Sequence, residues 1–187
     1  MLTRAALLTA LVACLAATLG AATFEYRVLA TSKTSTMEKE MNAAASAGYV
    51  FSSVMGGETS FGGNEVVVVM AKGLEDAPGE RRYRLLATSR TSTMQKEMLQ
   101  LGDEGFEYKG QTVFESTFGG SEVSVIMERN AAGAGKPITY KLLAASRTST
   151  MQKELKEAGE AGFRLLGMTV AKTALGGSEL VCILRKD

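Results

Sequence analysis

Residues 26–41 read YRVLATSKTSTMEKEM, and the phrase returns as YRLLATSRTSTMQKEM at residues 83–98 and as YKLLAASRTSTMQKEL at residues 140–155. The offsets 83 − 26 and 140 − 83 both equal 57, so the three stretches align without a gap. A repeat of roughly this length indicates one supersecondary unit used several times. We therefore interpret the chain as three tandem units, at residues 23–73, 81–130 and 138–187.

The hydrophobic period changes along each unit. Residues 24–31 alternate and are rich in aromatic and β-branched side chains, which predicts a strand. Met37, Met41 and Ala44 then recur at helical spacing and predict an amphipathic helix of about three turns. A second strand from Tyr49, a Gly-Gly turn and a third, very apolar strand follow. The predicted fold class is α+β, built from three tandem β-α-β-β units.

The third strand of each unit is the most apolar. Val66, Val68 and Met70 give it one apolar face, which we expect to cover the helix, and its overall apolarity favours a central position. We predict the sheet order 1-3-2, with strands 1 and 2 parallel and joined by a right-handed crossover. Each unit is then a three-stranded sheet with one helix on one face.

The other face of the sheet is predicted to carry a small apolar centre. In the first unit we assign Leu29, Val67 and Val69 to this face, flanked by Arg27. Equivalent residues occupy the other units. An apolar patch of this kind requires a cover, and we expect another unit of the same chain to supply it in a stacked or pseudo-threefold arrangement.

Both ends of each helix carry a sequence signature. Ser35 followed by Glu38 matches the capping box, in which both side chains satisfy free backbone amides. The equivalent pairs are Ser92 with Gln95 and Ser149 with Gln152. Glycine follows each predicted helix at a position suited to a left-handed terminating residue: Gly48, Gly105 and Gly162.

The first 22 residues belong to no unit and resemble a secretory signal peptide. One arginine in residues 1–4 precedes the apolar run of residues 5–19, and small residues follow at 20–22. We expect export to the periplasm or the medium. An alternative is a lipoprotein anchored at Cys14, since Leu11 to Cys14 resembles the bacterial lipoprotein processing box.

Composition argues against several classes of function. Lys and Arg number 21 against 20 Asp and Glu, a balance that does not fit a nucleic-acid binder. The chain has no histidine, which removes the commonest general base and metal ligand. Cleavage near Ala22 would leave Cys182 without a disulfide partner. Residues 73–80 and 130–137 hold the two prolines and several glycines, and we interpret them as linkers.

One family resemblance rests on the segments YRVL, MEKEM, AGYVF and VVVVMAK of the first unit. With these segments each unit resembles the small bacterial family catalogued as domain of unknown function 4177. The resemblance covers all three units and not the first 22 residues. The residues Tyr49, Phe106 and Phe163 stand where that family tends to have tryptophan. The resemblance implies a fold and no established activity.

Two segments of each unit change least between the units. From Ser32 to Glu40, seven of nine positions are identical in all three, while the second half of the helix differs freely. The second segment is residues 62–65, Gly-Gly-Asn-Glu, which reads Gly-Gly-Ser-Glu in the other units. Parallel strands 1 and 2 would bring both segments to the same edge of the unit. Together we call them the retained edge.

The retained edge is our candidate binding site. It offers a helix N-terminus, hydroxyls, glycine amides and one basic side chain per unit, which together suit a phosphate, sulfate or carboxylate group. A simpler explanation is a helix cap, a tight turn, recent duplication and an ion pair of Lys33 with Glu65, repeated in each unit. The candidate residues are Ser32, Lys33, Thr34, Ser35, Thr36, Gly62, Gly63, Ser89, Arg90, Thr91, Ser92, Thr93, Gly119, Gly120, Ser146, Arg147, Thr148, Ser149, Thr150, Gly176 and Gly177.

No catalytic constellation stands out in the sequence. Cys182 falls on a strand without a histidine partner, no nucleotide loop is present, and the methionines at helical spacing fit a core better than a soft-metal site. We predict no cofactor. The favoured function is a non-catalytic binding or interaction module with three equivalent edges, for an anionic small molecule, a glycan or a protein. The alternatives are a structural or self-associating cell-envelope protein and, disfavoured, an enzyme.

Overall fold

The structure is a computed structural model that describes residues 23–59, 63–73, 81–115, 121–130, 135–172 and 177–187. The predicted signal peptide with Cys14, most of the first predicted linker and half of the second lie outside the described residues. The elements are β1 Phe24–Thr31, α1 Thr34–Ser46, β2 Val50–Thr59, β3 Gly63–Gly73, β4 Arg81–Thr88, α2 Thr91–Asp103, β5 Glu107–Glu115, β6 Ser121–Asn130, β7 Thr139–Ala145, α3 Thr148–Glu160, β8 Arg164–Lys172 and β9 Ser178–Lys186.

Each unit forms its own three-stranded sheet. The strand orders are β1-β3-β2, β4-β6-β5 and β7-β9-β8, which confirms the predicted order 1-3-2 and the α+β fold class. Both outer strands pair antiparallel with the central strand and therefore run parallel to each other. The outer strand after the helix has a register irregularity at the same place in every unit, between Phe51 and Ser53 in the first.

The two faces of each sheet have different neighbours. We call the face that carries the unit's own helix the front face, and the opposite face the back face. Met37, Met41 and Ala44 of α1 are fully buried and cluster with Val66 and Val68 on the front face of the first sheet, as predicted. The equivalent residues of α2 are buried as well: Met94, Met98 and Leu101. In α3, Met151 and Ala158 are buried and Leu155 is half-buried.

The assignment of Leu29 and Arg27 to the back face is wrong. Leu29 lies opposite Val68, and directly opposed residues of an antiparallel pair point to the same side of the sheet. Leu29 therefore belongs to the front face, and Arg27, which lies opposite Met70, does too. The apolar residue of β1 that shares the back face with Val69 is its neighbour Val28.

The capping boxes are also absent. Each helix begins one residue before the predicted serine, after Lys33, Arg90 or Arg147, and none of the three has a side-chain cap. Ser35 thus lies inside the first turn. The helix C-termini follow the prediction, because Gly48, Gly105 and Gly162 adopt positive φ angles of 93°, 79° and 86°. Among the described residues no helix is both long and apolar enough to cross a membrane.

The units stack front to back. The back face of the second sheet, with Tyr83, Leu85 and Ile126, packs into the same cluster as α1 and the front face of the first sheet. The back face of the third sheet joins the core of the second unit in the same way, through Tyr140, Val181 and Ile183. A neighbouring unit therefore covers the back faces of units 2 and 3, as the sequence predicts.

Candidate functional site

The retained edge of the second unit opens onto a cleft shared with the third unit. The cleft offers about 70 Å³ to water-sized molecules. Its second-unit wall includes the β4–α2 junction and Ser121, so the two retained segments lie together there, as the sequence predicts. The cleft is lined by Thr88, Ser89, Arg90, Thr91, Met94, Ser121, Val123, Leu142, Ala171, Lys172, Glu179 and Val181.

The lining divides into a polar mouth and an apolar floor. Hydroxyls of Thr88, Ser89, Thr91 and Ser121 come from the second unit, together with the Arg90 guanidinium. The third unit adds Glu179 and the backbone amide of Lys172, which donates a 3.4 Å hydrogen bond to the Ser121 hydroxyl. Methionine, valine, leucine and alanine side chains form the remainder. Helix α2 starts at Thr91, and no side chain caps its N-terminus. The first backbone amides of the helix, which lie at this edge, therefore have no side-chain acceptor.

The other candidate residues are placed differently. Ser92 and Thr93 lie in α2 and do not line the cleft. In the third unit the residues from Ser146 to Thr150 are all exposed, and no other unit in the described part of the chain faces them. Ser32, Lys33 and Ser35 of the first unit are exposed as well. Gly63 opens β3 with a φ of 88°, Gly177 precedes β9, and the remaining glycines lie outside the described residues: Gly62, Gly119, Gly120 and Gly176.

The local hydrogen bonds of the edge differ from those the simpler explanation requires. Within the described residues, Arg90 forms no ion pair with Glu122, and Arg147 forms none with Glu179. The turn before the helix is instead held by Thr88, whose hydroxyl accepts a hydrogen bond of 3.1 Å from the amide of Arg90. The third unit has Ala145 at this position and lacks that bond.

The retained glutamate and glutamine of the helices bind the next unit. Glu38 accepts a 3.0 Å hydrogen bond from the amide of Leu85 and pairs with Arg84 at 3.2 Å. Gln95 accepts from the amide of Leu142 at 2.7 Å and donates to the carbonyl of Tyr140 at 2.9 Å. These side chains satisfy the free edge of the following unit's first strand, which explains why position 38 and its equivalents are retained as Glu or Gln.

The first tyrosine of a unit inserts into the preceding unit. Tyr83 accepts a 2.9 Å hydrogen bond from the amide of Phe51 and donates to Glu128 of its own unit. Tyr140 accepts from the amide of Tyr108 and donates to the carbonyl of Phe106, both at 2.9 Å. Each interface between units therefore has one buried tyrosine hydroxyl bonded to the backbone across it.

Burial raises the pKa of these phenols. The pKa of Tyr83 lies well above its ordinary value, first because the ring is buried and second because its hydroxyl is bonded to the Glu128 carboxylate. Burial also raises the pKa of Tyr140, and it raises the pKa of Tyr108 to about 12. The ionised forms are disfavoured because the interfaces exclude water.

Stability is therefore expected to fall in alkaline solution. A folded-state pKa above the unfolded value of about 10 contributes stability that is complete below pH 10 and lost as the pH rises toward the folded pKa. We expect the free energy of unfolding to decrease above pH 10 by up to about 1.4 kcal/mol per pH unit for each such tyrosine. Urea titrations from pH 7 to 11 measure this slope. The double variant Tyr83→Phe/Tyr140→Phe should have a shallower slope, and an unchanged slope would contradict the assignment.

Cys182 lies on the front face of the third sheet, opposite Leu143, and is fully buried. Burial raises the pKa of its thiol, so the thiolate that a nucleophile requires is disfavoured. This environment argues against Cys182 as a catalytic residue. Within the described ranges, no group of three or more cysteine, aspartate and glutamate side chains is placed to hold a metal ion.

Comparisons with protein-family models, with curated proteins and with solved structures found no match to this chain. The resemblance to the domain of unknown function 4177 family stays a hypothesis, carried by the sequence segments alone.

The sequence comparison missed the part of the cleft that the third unit supplies. Glu179 and the backbone amide of Lys172 lie against the second unit's edge, on the two strands that flank the third unit's glycine turn. Glu179 was visible as part of a retained segment, but it was assigned to its own unit's edge. The equivalents of Lys172 are Glu58 and Glu115, so this position changes charge between the units and a comparison between units does not single out Lys172.

Proposed function

We propose that the chain is an exported, non-catalytic binding protein whose cleft between units 2 and 3 takes a small anionic group. The observation that carries the proposal is the position of the retained edge: in the second unit its hydroxyls and Arg90 line a cleft, and from the opposite wall the backbone amide of Lys172 donates a 3.4 Å hydrogen bond to the Ser121 hydroxyl. Hydroxyls, backbone amides and a guanidinium group are donors that proteins use for phosphate, sulfate and carboxylate groups.

The uncapped start of α2 supports the same ligand class. A helix N-terminus carries a partial positive charge, and its first amides donate to anions when no side chain occupies them. The apolar floor formed by Met94, Val123 and Leu142 would accept a carbon skeleton attached to the anionic group. The favoured ligand is thus a small organic anion or one acidic sugar of a glycan. Glu179 at the mouth would disfavour groups of high negative charge.

The test compares two equivalent double variants. Arg90→Ala/Thr91→Ala removes donors from the cleft, whereas Arg147→Ala/Thr148→Ala removes the equivalent residues of the third unit, where in the monomer no unit of the described ranges forms a second wall. We expect the cleft variant to weaken binding of phosphate, sulfate or glucuronate by about tenfold or more, the loss typical of a charged hydrogen-bonding group. At protein concentrations low enough for the monomer, the third-unit variant should bind like the wild type.

Titrations followed by NMR chemical shifts or by calorimetry give these affinities, and thermal unfolding checks that both variants are folded. The proposal is overturned if the wild type binds none of the three probes. Equal losses in the two double variants would show that general surface charge, and not the cleft, is responsible.

A further inference from the structure

The two interfaces inside the chain are built from equivalent residues. In each, a tyrosine of the following unit inserts its hydroxyl beside a backbone amide of the preceding one, and a helix side chain of the preceding unit binds the following strand. Tyr83 and Glu38 do this between units 1 and 2, and Tyr140 and Gln95 do it between units 2 and 3. Both interfaces have the same polarity, front face to back face.

A stack with this polarity has two different ends, because one end presents a back face and the other presents a front face. Among the described residues, no unit covers the back face of the first sheet or the front face of the third. Tyr26 is 65% exposed, although its equivalents Tyr83 and Tyr140 are each 1% exposed. At the other end Gln152, the equivalent of Glu38 and Gln95, is exposed as well.

The exposed apolar side chains of the molecule concentrate on these two ends. Among the described residues eight large apolar side chains are exposed, and seven of them lie on the two end faces. The strand registers place four on the first unit's back face and three on the third unit's front face. The four are Phe24, Tyr26, Val28 and Met55, and the three are Leu165, Met168 and Val170; the eighth, Leu99, lies on α2.

A further match lies on the helices. At the second interface the carbonyl of Ile138 approaches α2 so closely that a Cβ on Gly102 would lie 2.1 Å from its oxygen. The equivalent residue of α3 is Gly159, which has nothing within 4 Å. An exposed glycine inside a helix is unfavourable, but Gly159 leaves space for a backbone carbonyl to approach α3 as the carbonyl of Ile138 approaches α2. The residue of the first unit equivalent to Ile138 is Phe24.

We propose that the chain self-associates head to tail, with the back face of unit 1 of one molecule docked on the front face of unit 3 of another. Tyr26 of one molecule then inserts beside the backbone of Phe163 and Leu165 of the next, and Gln152 binds the backbone of Tyr26 and Val28. The occupant follows from the chain itself, because this contact reproduces the two interfaces it already contains. A heterologous contact of this type produces rings when the rotation closes and filaments when it does not.

The first measurement is the molar mass of the purified protein as a function of concentration, by light scattering and sedimentation, with its N-terminus established by mass spectrometry. We expect the mass to rise above that of one chain. Tyr26→Asp and Leu165→Asp, one on each end face, should each raise the dissociation constant by at least about tenfold. The control Leu99→Asn changes the one exposed large apolar residue that lies on neither end, and it should associate like the wild type.

Mixing the two blocked variants tests the polarity. Tyr26→Asp keeps an intact third-unit front face, and Leu165→Asp keeps an intact first-unit back face, so a mixture should form one-to-one dimers that grow no further. Association of like faces would instead leave one of the two variants fully able to dimerise alone. The proposal is overturned by that result, by a wild type that is monomeric at every soluble concentration, or by equal weakening in Leu99→Asn.

The proposal for the cleft and the proposal for the end faces can be refuted independently. Loss of anion binding changes no residue of either end face, and a monomeric protein retains both walls of the cleft, so the two experiments give independent answers.

Discussion

Replacing Tyr140 by alanine is expected to lower the free energy of unfolding by about 3–5 kcal/mol, the range for removal of a large buried aromatic side chain. Tyr140 is fully buried between units 2 and 3 and forms two hydrogen bonds to the backbone of the second unit. The alanine variant would leave a cavity and also an unpaired amide at Tyr108. Chemical denaturation of the variant and the wild type measures the difference.

Tyr26→Ala is the matched control, because Tyr26 occupies the same position of the repeat and is exposed. At concentrations low enough for the monomer, this change should alter the free energy of unfolding by no more than about 0.5 kcal/mol. Tyr140→Phe separates the hydroxyl from the ring and should cost about 1 kcal/mol. Similar losses in Tyr140→Ala and Tyr26→Ala would contradict the front-to-back stack.

The second large effect concerns two equivalent glycines, for which replacement by alanine should change the free energy of unfolding in opposite directions. Gly102→Ala should destabilise the protein by about 1–3 kcal/mol or more, because the new Cβ would collide with the carbonyl of Ile138. Gly159→Ala should stabilise the isolated chain by about 0.5–1 kcal/mol, since alanine is the better helix former and the site is open. The first unit already has alanine here, as Ala45.

Thermal and urea unfolding of the two single variants measures both changes under the same conditions. Destabilisation by Gly159→Ala at low concentration would contradict the open position of this residue. If the molecules associate head to tail with the geometry of the second interface, Gly159→Ala should also weaken association, because the added methyl group enters the path of the incoming chain. With the geometry of the first interface, where Ala45 is buried at this position, the same variant should associate like the wild type.

The sequence was sufficient for the architecture of one unit. The period of 57 residues counted the units, the change of periodicity along each unit identified strand, helix and two further strands, and the apolarity of the third strand placed it centrally. These signals are local or depend on how buried a whole strand is. They can be interpreted without knowing what each side chain contacts.

Which face an individual strand residue occupies was less accessible. Val28 and Leu29 are both apolar, and residues 66–69 are four consecutive valines. Such a run has no alternation, so it gives no phase for the side chains. The phase is set by the hydrogen-bonded register, in which Leu29 lies opposite Val68. Assigning Leu29 to the back face was an error of one residue.

Contacts between units were harder still to predict. Ser35 and Glu38 match the local pattern of a capping box, but the helix begins before Ser35, and Glu38 reaches Leu85 across the interface. The cleft likewise depends on a contact between units, since Lys172 of the third unit reaches the second unit's edge. Comparing equivalent positions shows which residues are retained, and it does not show that their partners lie in another unit.

The repeated polarity of the interfaces has a consequence for how such a chain can change in length. A unit inserted between two existing ones would meet a front face before it and a back face after it, so no new surface would have to evolve. Loss of a unit would likewise leave the remaining faces complementary. Duplication of an internal unit can therefore lengthen this protein, and deletion of one can shorten it, while the two end faces stay as they are.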